Sequence, residues 1–98
     1  MVKHMIIWKV KTELAEREAR VAAVKEALEG LVGQIDGLLE MHILTQGLPS
    51  SAGDVMMDSL FTSVDALNAY QAHPLHVEIA NGLVRPIMEQ RLSFDYEV

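Results

Sequence analysis

The chain has 98 residues, half of them hydrophobic and 22% charged, which describes one small folded domain over residues 1–98 and excludes a disordered chain. Its 14 acidic and 8 basic residues give a net charge of −6, so we expect neither a nucleic acid nor a membrane as a partner. The sequence contains no cysteine, which excludes disulfides and thiolate chemistry. With no signal peptide recognisable in the first eleven residues, we expect a cytoplasmic location.

The first predicted element is a strand over residues 2–11. The face expected to meet the helices is Val2, His4, Ile6, Trp8 and Val10. The middle of the segment, Met5-Ile6-Ile7-Trp8, is apolar on both faces. This is typical of a central strand that is covered on both sides.

A long helix is predicted next, over residues 13–33, because apolar side chains recur there at helical spacing. A second strand follows over residues 38–46, in which Leu39, Met41 and Ile43 would share a face. Residues 47–53 are rich in Gly, Pro and Ser and are predicted to form a loop.

The second half of the chain repeats the order strand, helix, strand. Residues 54–61 alternate as a third strand, and Thr62-Ser63-Val64-Asp65 is a capping-box pattern that would start a helix. That helix ends near His73, a new helical turn begins at Pro74, and Pro86 ends it. Residues 91–98 show the clearest alternation and predict the last strand.

A four-stranded sheet with helices on one face leaves the other face uncovered. The residues predicted on that open face are Met5, Ile7, Leu38, Leu44, Met56 and Leu60, with the polar Glu40, His42, Asp58, Ser93 and Asp95. A partly apolar sheet face favours a homodimer formed through it. The alternative is a solvated face with scattered apolar residues.

The most specific local pattern is Tyr70-Gln71-Ala72-His73-Pro74-Leu75-His76. Proline fixes a helix start, so His76 would lie in the first turn, where the positive helix terminus disfavours imidazolium. A neutral His76 could act as a general base, and the Tyr70 hydroxyl could polarise a carbonyl or bind an enolate oxygen. His4 is expected to face the helices and could join Tyr70 and His76 at the same site.

Each of these residues also has a purely structural interpretation. His73 could cap a helix, which we favour over catalysis, and His76 could be a buried, hydrogen-bonded histidine. Tyr70 could be a core aromatic with a tethered hydroxyl, and His4 a strand residue. The His-x-x-His pair could also bind a metal. However, no acidic residue or cysteine stands at a sequence spacing typical of metal ligands, so no metal site is predicted.

Three segments together resemble the stress-responsive A/B-barrel family, whose domain is also called the dimeric α/β barrel. They are the opening strand at residues 3–9, the His-Pro-x-His segment at 70–77, and Phe94-Asp95-Tyr96. The resemblance implies an α+β, ferredoxin-like β-α-β-β-α-β fold with a four-stranded antiparallel sheet. It also implies that two subunits pack their sheets into a barrel.

The resemblance further implies an activity. One kind of member closes a linear polyketide by an intramolecular aldol reaction without a cofactor, and its catalytic tyrosine and histidine match Tyr70 and His76. A pocket histidine matches His4 and the first histidine of the motif matches His73, and we assign these and Trp8 to substrate binding. The matching part of the first helix lacks aromatic residues and Trp8 is bulky, so the cavity would be reshaped or filled.

The function implied is therefore a cofactor-independent lyase or cyclase acting on a small apolar carbonyl compound. The alternative is a non-catalytic, stress-associated or ligand-binding protein, in keeping with the alanine-rich first helix. Monooxygenases that degrade haem or oxidise quinols share only this architecture, which makes them a fold-level analogy.

Overall fold

The computed structural model describes residues 1–98 as a four-stranded antiparallel sheet with helices on one face. The strands are β1 (Val2–Val10), β2 (Leu38–Leu44), β3 (Val55–Phe61) and β4 (Met88–Glu97). The helices are α1 (Arg17–Glu29), α2 (Val64–Ala72) and α3 (Pro74–Ile79), followed by a π-helical turn (Ala80–Val84). The order across the sheet is β2-β3-β1-β4, so the predicted α+β class and β-α-β-β-α-β order are confirmed. No helix has the length and apolar character needed to cross a membrane.

The core lies between the sheet and the helix layer. The predicted inner face of β1 is confirmed, because Val2, His4, Ile6, Trp8 and Val10 are all buried. On β3 every second residue from Val55 to Phe61 is buried as well. The helix layer meets these strands mainly with Val24, Leu28, Leu67 and Tyr70.

The prediction for β2 is wrong at its start. Leu38 is buried in the core and Leu39 is 42% exposed, the reverse of the expected arrangement. The cause is an irregularity in the pairing with β3 between Leu38 and Glu40, which adds one residue to β2. An extra residue reverses the alternation, and Met41 and Ile43 then face the core as predicted.

The prediction for β4 is wrong about which side faces the helices. Phe94 stands opposite Met5 and Leu92 opposite Ile7, so both lie on the open face, where they are 70% and 74% exposed. Asp95 stands opposite His4, and Ser93 is likewise on the helix-facing side. Residues directly opposite in an antiparallel pair share a face, and β1 therefore decides the orientation of β4.

The helical segments differ from the predictions in their ends. Helix α1 begins at Arg17 rather than at residue 13, because Glu16 has left-handed backbone angles with φ of 55°. Helix α2 is capped one residue later than the capping-box pattern predicts, because the hydroxyl of Ser63, not of Thr62, accepts a hydrogen bond from Ala66 N at 3.1 Å. Pro74 opens α3, which then widens into the π-helical turn, a feature often found at functional sites.

Candidate functional site

A cavity of about 530 Å³ lies between the helix layer and strands β1 and β4. Its apolar wall consists of Ile6, Trp8, Leu28, Met57, Ala80, Val84 and Met88. Its polar wall includes His4, Gln71, His76, Arg85, Arg91 and Ser93. Trp8, only 3% exposed, therefore forms part of the wall without filling the space.

His76 occupies the third position of α3 and is half-buried. Its Nδ1–H donates to the main-chain oxygen of Gln71 at 3.2 Å, which leaves the Nε2 lone pair of the neutral ring without a protein partner. Burial lowers the pKa of His76 below the ordinary 6.5, and the positive charges of Arg85 and Arg91 act in the same direction. The expected neutral state follows, although burial and not the helix terminus is its main cause.

Tyr70 lies directly behind His76, in the core. The two ring centroids are 4.3 Å apart, and the Phe61 ring packs 4.9 Å away on the other side. Tyr70 is completely buried, its hydroxyl has no hydrogen-bond partner in the protein, and burial raises its pKa. A buried hydroxyl without a partner is rare, and this phenol remains protonated at neutral pH.

His4 forms a second polar group in the cavity wall. Its Nδ1 lies 2.5 Å from Oδ1 of Asp95, whose carboxylate accepts the N–H. The main-chain oxygen of His4 also accepts a 2.6 Å hydrogen bond from the Ser59 hydroxyl. Both contacts fix the histidine on its strand, so that Nδ1 is occupied and Nε2 is the nitrogen left for a ligand.

His73 has a different role from the other histidines. It is the residue before α3, and its Nδ1 accepts a 3.1 Å hydrogen bond from the main-chain N–H of Leu75. The capping interpretation is therefore confirmed. His73 does not line the cavity, and its assignment to substrate binding stays a prediction.

The predicted site residues are thus brought together only in part. His4, Trp8 and His76 share the cavity, Tyr70 lies against His76 without lining it, and His73 lies outside. Sequence reasoning missed Asp95 and the two arginines of the polar wall, Arg85 and Arg91. No signal in the sequence could have found Asp95 and Arg91, because only the pairing of β4 with β1 sets them opposite His4 and Trp8.

No group of three or more His, Asp or Glu side chains comes together in a geometry that could hold a metal ion. The His73-x-x-His76 spacing does not bring the two rings to a common site, because one ring caps α3 and the other bonds back to Gln71. The site can instead offer a neutral base, a protonated phenol behind it, and a set of cations.

Comparison with solved structures finds the same architecture. A dimeric protein of unknown function with a ferredoxin-like fold from Bacteroides fragilis has 25% identity and a TM-score of 0.89, covering 99% of this chain and 95% of that one. An Arabidopsis thaliana protein has 23% identity and a TM-score of 0.82, with 100% and 95% covered. A hydroxynitrile lyase from Passiflora edulis has 18% identity and a TM-score of 0.80, with 97% and 90% covered.

Sequence comparisons agree with the fold. No curated protein sequence matches the chain. The sequence model of the stress-responsive A/B barrel domain, however, matches residues 2–98. Because this match spans nearly the whole chain, the protein belongs to the stress-responsive A/B barrel family, with a ferredoxin-like fold.

Proposed function

We propose that the chain is a cytoplasmic homodimer that acts as a cofactor-independent lyase or cyclase on a small apolar carbonyl compound. The observation that carries the proposal is the state of His76. Its ring is neutral, its Nδ1–H is bound to Gln71, and its Nε2 lone pair is left unpaired in a residue that lines the cavity. A general base must be both unprotonated and within reach of its substrate.

The proposed reaction needs only His76 and the substrate. Nε2 takes a proton from the carbon next to a carbonyl, the C–H electron pair forms a C=C bond, and the π pair of the carbonyl moves to its oxygen to give an enolate. The enolate carbon attacks a second carbonyl in the same molecule and forms the new C–C bond. The imidazolium then returns its proton to the resulting alkoxide, and run in reverse the same steps cleave a C–C bond.

Tyr70 is proposed to donate a hydrogen bond to the enolate oxygen. Its support is the protonated phenol, whose hydroxyl has no partner in the protein and whose ring touches His76. Because Tyr70 does not line the cavity, its hydroxyl must become accessible when the substrate binds. Arg85 and Arg91 of the polar wall can also stabilise a developing negative charge.

The proposed dimer forms through the open face of the sheet. Its exposed apolar side chains are Ile7, Leu44, Leu92, Phe94 and Tyr96. Phe94 opposite Met5 and Leu92 opposite Ile7 make a continuous apolar patch along β1 and β4. A second copy is the proposed cover, and the Bacteroides fragilis protein with this fold is itself dimeric.

The test of the catalytic step is exchange of α-hydrogens in D₂O. A panel of small alkyl and aryl methyl ketones is incubated with the protein, and loss of the α-hydrogen signals is followed by ¹H NMR. We expect accelerated exchange, and a loss of about 100-fold or more in His76→Gln, as is typical when a general base is removed. Arg20→Gln, which changes an exposed residue of α1 outside the cavity, is the control and should retain the activity.

A second function is favoured by one observation, the seclusion of the Tyr70 hydroxyl from the cavity. If the Tyr70 hydroxyl does not reach the cavity, the protein would bind a small apolar ligand there without catalysis. Saturable binding of a ketone with no α-hydrogen exchange in the wild-type protein would favour this alternative over the enzyme.

A further inference from the structure

We propose that the cavity beside His76 recognises the carboxylate of a small apolar acid through Arg91 and Arg85. The inference names the ligand class of the same site, and it rests on the proposed function in taking this cavity as the place where the ligand binds.

Arg85 and Arg91 both contribute to the lining of the cavity. Arg91 stands opposite Trp8 in the β1–β4 pair and therefore lies on the helix-facing side of the sheet. Arg85 follows the π-helical turn, and its Nη1 donates a hydrogen bond to Oδ1 of Asn81, one turn earlier. The two cations thus approach the cavity from different layers, one from the sheet and one from the helices.

Neither arginine has an acidic partner, although the chain carries 14 acidic residues. Lys3, Arg17 and Lys25 each form an ion pair with a nearby carboxylate. Glu89 is the acidic side chain in the cavity wall, and it pairs with neither arginine. Both arginines are solvent-exposed residues of the cavity wall, where an anion could replace water as their partner.

The neighbouring polar groups point to the same class of ligand. Gln71, Gln90 and Ser93 share the polar wall with the arginines and can donate hydrogen bonds to an anion, and Glu89 is the single carboxylate residue of the lining. The charges of Arg85 and Arg91 already act on His76, whose pKa they help to lower. An anion in the cavity would be attracted by the charges of Arg85 and Arg91, although the protein as a whole is acidic.

The apolar wall selects among anions. Ile6, Trp8, Leu28 and Met57 offer a surface to a hydrocarbon stem, and a cavity of about 530 Å³ is in the usual range for small-molecule sites. A guanidinium can hold a carboxylate through two parallel N–H bonds. A carboxylate on an apolar stem matches both walls, whereas inorganic phosphate matches the polar wall alone.

The experiment compares 4-butylbenzoate with 4-butylbenzamide, which have the same shape and differ in charge. Binding is followed by the fluorescence of Trp8, the single tryptophan, which lines the cavity. We expect the acid to bind about tenfold more tightly than the amide, as for hydrogen bonds to a charged group. The preference should fall towards one in Arg91→Gln and in Arg85→Gln. The control Arg20→Gln alters an exposed arginine of α1 and should preserve it.

Equal affinity for the acid and the amide, or a preference unchanged in both cavity variants, would overturn the carboxylate proposal while leaving His76 as a base untouched. Competition by inorganic phosphate at the concentrations where the acid binds would overturn the requirement for an apolar stem. Binding of neither probe would overturn both this inference and the cavity as the site of the proposed function.

Discussion

The carboxylate of Asp95 lies 2.5 Å from Nδ1 of His4, whose side chain is only 3% exposed. The contact crosses from the edge strand β4 to the central strand β1. Because Phe94 points to the other side of β4, the same strand supports the cavity wall on one face and offers an apolar patch on the other. The candidate site and the proposed dimer surface are therefore two faces of one strand.

Replacing Asp95 tests how much this contact stabilises the fold. Asp95→Leu leaves the buried N–H of His4 without an acceptor, so we expect a loss of about 1–3 kcal/mol in the free energy of unfolding. Asp95→Asn keeps an acceptor oxygen and should lose less. Urea unfolding measures both, and Glu97→Gln, an exposed change on the same strand, is the control. Equal stability of Asp95→Leu and wild type would contradict the assigned contact.

Tyr70→Phe removes a buried hydroxyl that has no hydrogen-bond partner. Since an unsatisfied buried polar group is unfavourable, we expect the free energy of unfolding to rise by about 1 kcal/mol. Thermal unfolding measures the change. If the hydroxyl also serves catalysis, the stabilised variant should exchange ketone α-hydrogens more slowly than wild type. A clear destabilisation by Tyr70→Phe would mean that the hydroxyl has a favourable partner.

Much of the fold could be predicted because local patterns were clear. The element order could be predicted from the helical spacing of apolar residues, the helix start at Pro74 and the alternation of β1 and β3. The alternation of β1 also predicted the inner face that holds His4 and Trp8. The orientation of β4 could not be predicted in this way, since alternation within a strand does not say which side meets the helices. That depends on its register with β1, which only the folded pairing sets.

The site was predicted unevenly for related reasons. His76 and Tyr70 were found from a local motif, and their contact is seen in the structure. Arg85 follows a π-helical turn that leaves no recognisable signature in the sequence. The misplacement of Leu38 has a similar origin, since an added residue in β2 is invisible until the strand is paired with β3.

Phe94→Glu tests the proposed dimer surface. A large apolar side chain contributes about 1.5–3 kcal/mol when buried, and both copies lose it, so dimerisation should weaken by about 100-fold or more. Sedimentation or light scattering at micromolar concentration measures the effect. Leu83→Glu changes a similarly apolar residue that is 38% exposed on the helix side, and it should remain dimeric. A well-folded wild-type monomer would contradict the dimer itself.

His76 should make stability depend on pH. Its pKa is lowered in the folded protein but returns to the ordinary 6.5 on unfolding. Above that value the contribution to stability is fully present, and as the pH falls the unfolded chain binds a proton that the folded protein does not. Wild type should therefore lose more stability than His76→Gln between about pH 7.5 and about pH 5. Parallel curves for the two proteins would contradict the lowered pKa.

The most direct test of the proposed base is a ¹⁵N-resolved NMR titration of the histidine side chains, with His76 assigned through His76→Gln. The account predicts a ring protonated at Nδ1, free at Nε2, and titrating below 6.5. Arg91→Gln should move that titration upward, because a positive charge is removed. A ring protonated at Nε2, or one that titrates above 6.5, would contradict the account.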